Sequence, residues 1–192
     1  YYYQFGYDRS DAQVNASLIS LSLTLTNAKS AYTFGFDQLT GTPVNDTQSN
    51  TFDPLFGTHH KFYGLMDYFY VGSPHIQQGK TIGLQDFFNR SKFNLKPTTI
   101  LFVELHHFLS PVQIIDPENV ANTLPRTLGT EIDLVLQHSF HKDFVAHLGL
   151  SQMFATHSME AIKGNGNAYS TWAWLMLTFK PELLNSDLLS KR

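Results

Sequence analysis

Apolar and polar residues alternate at period two over much of the chain, the mark of strands with two unlike faces. From Ile19 to Thr26, Ile19, Leu21, Leu23 and Leu25 fall on one face, and Ser20, Ser22, Thr24 and Thr26 on the other. Tyr32, Phe34 and Phe36 alternate with Thr33, Gly35 and Asp37. Leu101, Val103 and Leu105 oppose Phe102, Glu104 and His106. Ile132, Leu134 and Leu136 oppose Glu131, Asp133 and Gln137, with Val135 interrupting the polar row. Ala146, Leu148 and Leu150 oppose His147, Gly149 and Ser151, and Trp172 to Phe179 is apolar or aromatic on both faces. Helical spacing is confined to two short stretches, Pro117 to Leu124 and Pro181 to Leu189.

Connections differ in length. Asn27-Ala28-Lys29, Lys96-Pro97-Thr98 and His141-Lys142-Asp143 read as tight turns. Long polar loops run over 41–59, 72–80 and 110–128, and a further one centres on Gly164-Asn165-Gly166-Asn167. The pattern predicts an all-β, antiparallel, up-and-down meander of about eight or nine strands, with short turns at one end and long loops at the other.

Two architectures share this alternation. In a soluble sandwich the apolar face is buried between sheets. In a transmembrane barrel it meets lipid and the polar face lines a lumen. Three features favour the barrel. The segments 16–26, 99–108, 130–140 and 144–154 reach the roughly 9–11 residues a tilted membrane strand needs. The polar rows are mostly Ser, Thr, Gly and Gln, and only 15% of all residues are charged, against about 25% in a typical soluble domain. Aromatics gather at strand ends, as interfacial girdles do: Tyr1 to Phe5, Tyr68 to Tyr70, Phe140 with Phe144, and Trp172 with Trp174.

Composition removes other classes. The chain has no cysteine, so disulfides and thiolate metal sites are excluded. A net charge of −3 argues against a nucleic-acid partner. The opening Tyr1-Tyr2-Tyr3-Gln4-Phe5-Gly6 reads as mid-strand, with no signal-peptide pattern. The expectation is a piece of a longer chain, with residues 1–180 forming a partial barrel and 181–192 a C-terminal tail.

A more specific signal lies at 52–70: Phe52-Asp53-Pro54-Leu55-Phe56-Gly57-Thr58-His59-His60-Lys61-Phe62-Tyr63-Gly64-Leu65-Met66-Asp67-Tyr68-Phe69-Tyr70. It resembles a segment of the alginate-export family of outer-membrane barrels, in the version common in Bacteroidota. Gly83-Leu84-Gln85-Asp86, a following strand, the turn Lys96-Pro97-Thr98 and Glu104-Leu105-His106-His107-Phe108 continue the likeness. So do Leu128-Gly129-Thr130-Glu131-Ile132-Asp133 and Trp172-Ala173-Trp174-Leu175-Met176-Leu177-Thr178-Phe179. The resemblance implies a channel in a bacterial outer membrane, built on about eighteen strands, of which this chain matches the C-terminal half. The partners it implies are outer-membrane lipid, the N-terminal strands of the same protein, and a polar solute or polysaccharide cargo. Channels that pass anionic alginate carry an arginine-rich lumen. Here the arginines are Arg9, Arg90, Arg126 and Arg192, and the inferred inner face carries Asp37, Glu104, Glu131 and Asp133. An acidic wall of that kind repels a polyuronate.

The candidate lumen-lining residues are Ser20, Ser22, Thr24, Asp37, Glu104, His106, Glu131, Asp133, Gln137 and His147. No catalytic residue, metal site or cofactor is expected. His59-His60 and His106-His107 are adjacent pairs whose rings point to opposite strand faces. The best metal cluster is Glu104 with His106, should Glu131 or Asp133 lie across from them, yet a metal needs three or four converging ligands. Ser151 and His147 share a face but stand roughly 13 Å apart along a strand, too far for a nucleophile and its base. Glu131 and Asp133 have a spacing near 7 Å, compatible with glycoside hydrolysis and equally with an acidic patch on a wall. Trp172 and Trp174 stack on sugar rings if they face inward and anchor the interface if they face outward; the flanking alternation turns them inward. The alternative function is a soluble β-sandwich or small barrel that binds carbohydrate through these two residues.

Overall fold

The structure, a computed structural model, describes residues 1–54, 63–69, 75–164 and 169–181. The strands are β1 (Tyr2–Tyr7), β2 (Gln13–Thr26), β3 (Ser30–Leu39), β4 (Ile76–Gln77), β5 (Lys80–Thr81), β6 (Leu84–Lys96), β7 (Thr99–Leu109), β8 (Ile114–Ile115), β9 (Thr123–Leu124), β10 (Thr127–His141), β11 (Phe144–Ala155) and β12 (Tyr169–Phe179). Among the described residues one helix, α1 (His157–Lys163), precedes β12. Eight strands form a single antiparallel sheet in the order β1-β2-β3-β6-β7-β10-β11-β12, and β4–β5 and β8–β9 are small hairpins in the loops. The protein is therefore all-β with up-and-down neighbours. Among the described residues no ladder joins β1 to β12, so the sheet has two open edges and the expected barrel is not closed within them.

The short turns fall where the sequence places them. Asn27 closes β2–β3: its side-chain oxygen accepts hydrogen bonds from the backbone N–H of Lys29 and Ser30, both at 2.9 Å, the turn chemistry typical of Asn. The expected helix at 117–124 is not formed. Asp116 accepts from the Glu118 N–H at 2.9 Å and Asn119 from the Ala121 N–H at 3.1 Å. These side chains divert the backbone into turns, and β8 pairs with β9 across them. The expected tail helix and the Asn165 to Asn167 loop centre lie outside the described residues, as do His59 and His60.

Helix α1 was not anticipated. Thr156 caps its first turn by accepting from the Met159 N–H, and Gly164 ends it. Seven residues give too little periodicity to read, and the cap residues were its only sequence signal.

The register sorts side chains into two faces. One carries Leu21, Leu23 and Leu25 of β2, Phe34 of β3, Leu105 of β7, Leu134 and Leu136 of β10, Leu148 and Leu150 of β11, and Leu175 and Leu177 of β12. All of these are exposed, from 38% at Leu134 to 65% at Leu175. The opposite face carries the hydroxyls, the carboxylates and His106. At the long-loop end this polar face is covered. Leu39, Leu84, Phe108, Leu128 and Met153 from the strands pack there against Phe52, Tyr63, Phe69, Ile82 and Ile114 from the loops and Met159 from α1. The core thus lies between one end of the sheet and its own loops, and the leucine rows contribute nothing to it.

Candidate functional site

All ten candidate wall residues occupy the polar face. Ser20, Ser22 and Thr24 pair with Asp37, Gly35 and Thr33 across β2–β3. Glu104 pairs with Asp133 and His106 with Glu131 across β7–β10, and Gln137 pairs with His147 across β10–β11. They do not share one environment, however. The three hydroxyl residues of β2 are exposed. Asp37, His106, Glu131 and Asp133 are buried, the last three without measurable exposure.

The buried set is ordered by specific bonds. His106 Nδ1 meets Asp86 Oδ2 at 2.8 Å, both side chains fully buried. Its Nε2 faces Glu104 Oε2 at 3.5 Å. Arg90 Nε lies 3.1 Å from the same Glu104 oxygen, and the guanidinium sits 4.3 Å above the Phe88 ring. The stack continues through Phe88, His106 and Phe108, with ring centroids 5.9 and 5.6 Å apart, to Phe69, 4.5 Å from Phe108. A charged side chain is rarely buried without a partner. Here Asp86 and His106 are buried beside aromatic faces, with Arg90 and Glu104 half-buried next to them.

Glu131 and Asp133 serve a different purpose. Segment 63–69 is laid on the polar face, and these two carboxylates hold its backbone. The Met66 N–H donates to Glu131 Oε1 at 2.9 Å and the Leu65 N–H to Asp133 Oδ2 at 3.3 Å. Gly64 makes the approach possible. Its φ is +80°, and an added Cβ would lie 2.4 Å from Glu131 Oε1, so a side chain is barred both by conformation and by space. From the other side Lys163 of α1 donates to the Tyr68 carbonyl and its ammonium lies 5.6 Å from the Phe69 ring centroid. Burial lowers the Lys163 pKa to about 8. Burial also raises the Tyr63 hydroxyl above its ordinary value, with Asp37 and Asp86 nearby adding to the effect. A cavity of about 550 Å³ remains beside the segment, lined by Leu39, Phe52, Tyr63, Phe69 and His75 among others.

At the short-turn end the same face is open. Gln137 Oε1 and His147 Nε2 are 3.3 Å apart. Trp172 and Trp174, opposite Ser151 and Gly149, lie on this polar face with ring centroids 6.0 Å apart.

Among the described residues no group of three or more His, Asp or Glu is arranged to hold a metal ion. Glu131 and Asp133 do lie across from His106 and Glu104, but Glu104 turns to Arg90 and Glu131 to the Met66 N–H. Ser151 is fully buried and His147 turns to Gln137.

Asp86, Arg90, Gly64 and Lys163 were not among the sequence candidates. Asp86 and Arg90 share parity with Phe88 along β6, a face whose mixture of apolar and charged residues conceals the strand period. Gly64 and Lys163 depend on contacts between distant segments and leave no local pattern. Comparison with known proteins finds no matching family model, no matching curated protein and no matching solved structure.

Proposed function

We propose that the chain forms part of the wall of an outer-membrane β-barrel channel, of the alginate-export kind its motifs resemble, and that it passes a polar solute or saccharide by diffusion. The observation that carries this reading is an inversion. Leucines such as Leu21 and Leu175 are exposed, at 64% and 65%, while Glu131, Asp133 and His106 are at 0%. In water an apolar surface of this extent is a strong aggregation liability. In a bilayer it is the lipid-facing wall, and the polar face encloses water.

Aromatic pairs bracket the leucine band and support the same reading. Phe140 stacks with Phe144 at 5.3 Å at the short-turn end, and Phe36 meets Phe87 at 4.6 Å nearer the loops. On β11 the outward Phe144 and Phe154 stand ten residues apart, about 25 Å along the normal of a bilayer for a strand tilted by roughly 40°. The open edges of β1 and β12 require partners in lipid, where unpaired backbone is not tolerated. We assign that role to further strands of the same protein.

In this reading segment 63–69 is a constriction seated on the wall at the long-loop end, and filtering is by size. The acidic wall inferred from the sequence is not presented to water: Asp37, Glu131 and Asp133 are buried and Glu104 is paired with Arg90. The expected repulsion of a polyuronate loses its basis on this chain. Planar-bilayer recording of the full-length protein tests the channel. Discrete conductance steps are expected, and a protein that inserts yet never conducts contradicts it.

The second reading, a soluble carbohydrate-binding β-protein, draws on the two tryptophans of the open polar face. Extraction separates the readings: a protein that stays monomeric in buffer without detergent favours the second.

A further inference from the structure

We infer that the open half of the polar face, along β12 and the adjoining parts of β10 and β11, is a binding track for a linear neutral oligosaccharide. Trp172, Trp174, Met176 and Thr178 follow one another on this face, a row about 20 Å long by strand geometry. The two indoles are 6.0 Å apart and inclined by 36°, and Trp172 is exposed. Gly149 sets the platform. An added Cβ there would lie 2.2 Å from the Trp174 ring, so only glycine lets that indole lie flat on the sheet. An aromatic face offers dispersion and C–H contact to the apolar face of a pyranose ring.

Hydrogen-bonding groups adjoin the row. A cleft of about 340 Å³ opens beside Thr178, lined by Gln137, His147, Lys142, Asp143 and Lys180 among others. That volume is at the small end of ordinary ligand sites. The planar amide of Gln137 and the imidazole of His147, already aligned on one another at 3.3 Å, present donors and acceptors of the kind sugar hydroxyls use. Aromatic faces followed by a polar cleft match a ligand that is amphipathic ring by ring. Asp133 lies on this face in line with Trp172 through Ser151, but it is fully buried and accepts from the Leu65 N–H, so charge on the ligand is neither demanded nor strongly opposed. The inference rests on the channel reading only in taking this face as water-filled, and it specifies the class of cargo.

The experiment exploits a property of the chain: Trp172 and Trp174 are its only tryptophans, so intrinsic fluorescence reports on the track alone. The detergent-solubilised full-length protein, with any tryptophan of its other strands replaced by Phe, is titrated with a neutral β-1,4- or α-1,4-linked hexasaccharide and with an oligouronate of the same length. A saturable change with a neutral hexasaccharide is expected. By calorimetry, Trp172→Ala or Trp174→Ala is expected to weaken binding about tenfold, the loss of one aromatic contact. Gln137→Ala, an open-wall change with little burden on folding, weakens it less and keeps both fluorophores. No saturable change with either neutral sugar overturns the inference, as does a response to the oligouronate alone. Binding that survives both Trp substitutions overturns it too. The channel reading fails separately, through absent conductance, and binding in detergent does not depend on that result.

Discussion

The two ends of the polar face are built from the same strands and behave differently. At the long-loop end Asp86, His106, Glu131 and Asp133 are sealed beneath segment 63–69 and α1, each held by a defined partner. Toward the short-turn end Thr24, Gln137 and His147 are left uncovered or half covered, as are Ser20 and Ser22 of β2 and the two tryptophans of β12 nearer the middle of their strands. A row of polar residues on a strand therefore specifies a face, and the loops decide whether that face becomes packed interior or open wall. At the packed end buried carboxylates fix a segment in place. The open part of the face presents hydroxyls, an amide, an imidazole and an indole.

The largest effect expected lies on the opposite side of the sheet. Leu134→Arg places a charge in the leucine band. In lipid vesicles it should cost about 2–4 kcal/mol of folding stability near the bilayer midplane, measured by urea unfolding. Thr24→Arg, on the open polar face, should stay within about 0.5 kcal/mol. Equal costs at the two positions would remove the distinction between the faces.

Next is Gly64→Val. A β-branched residue at φ +80° facing Glu131 carries backbone strain of about 1–3 kcal/mol and unseats segment 63–69. The expected readouts are faster proteolysis within that segment and a larger single-channel conductance, with the strands intact by circular dichroism. An unchanged conductance would show that the segment does not narrow the pore.

A smaller effect is expected from pH. The folded value of Lys163, about 8, lies below its ordinary 10.5. Between those two values the unfolded chain binds more protons than the folded chain, so stability rises with pH. Below about pH 8 both states hold the proton and the burial penalty is carried in full. The protection of segment 63–69 against proteolysis, corrected for protease activity, should therefore increase from pH 8 upward. Lys163→Met should abolish the increase. A profile that is flat in the wild type, or identical in the variant, contradicts the assigned role of Lys163.

Much of this arrangement was legible in the sequence, and the limits have physical causes. β2, β10 and β11 were readable because their two faces differ sharply in polarity. β6 was inferred only from its neighbours in the family likeness, because Leu84, Asp86, Phe88, Arg90 and Lys92 mix apolar and charged residues on one face and hide the period. The face of each candidate wall residue followed from parity alone. The burial of Glu131 and Asp133 did not, because it is imposed by a segment 65 or more positions away in the chain. Among the described residues the outer edges of β1 and β12 stay unpaired in the sheet, and no local pattern within those strands names a partner for them.

The chain contains no cysteine, which allows a direct test of which face meets lipid. Single cysteines at 145 through 148 and at 150 on β11, spin-labelled in proteoliposomes, report contact with an apolar or a water-soluble relaxation agent. The expected result alternates: positions 146, 148 and 150 respond to the apolar agent, and 145 and 147 to the aqueous one. Equal aqueous accessibility at all five positions, or apolar contact at His147 in place of Leu148, would contradict a wall with hydrocarbon on one side and water on the other.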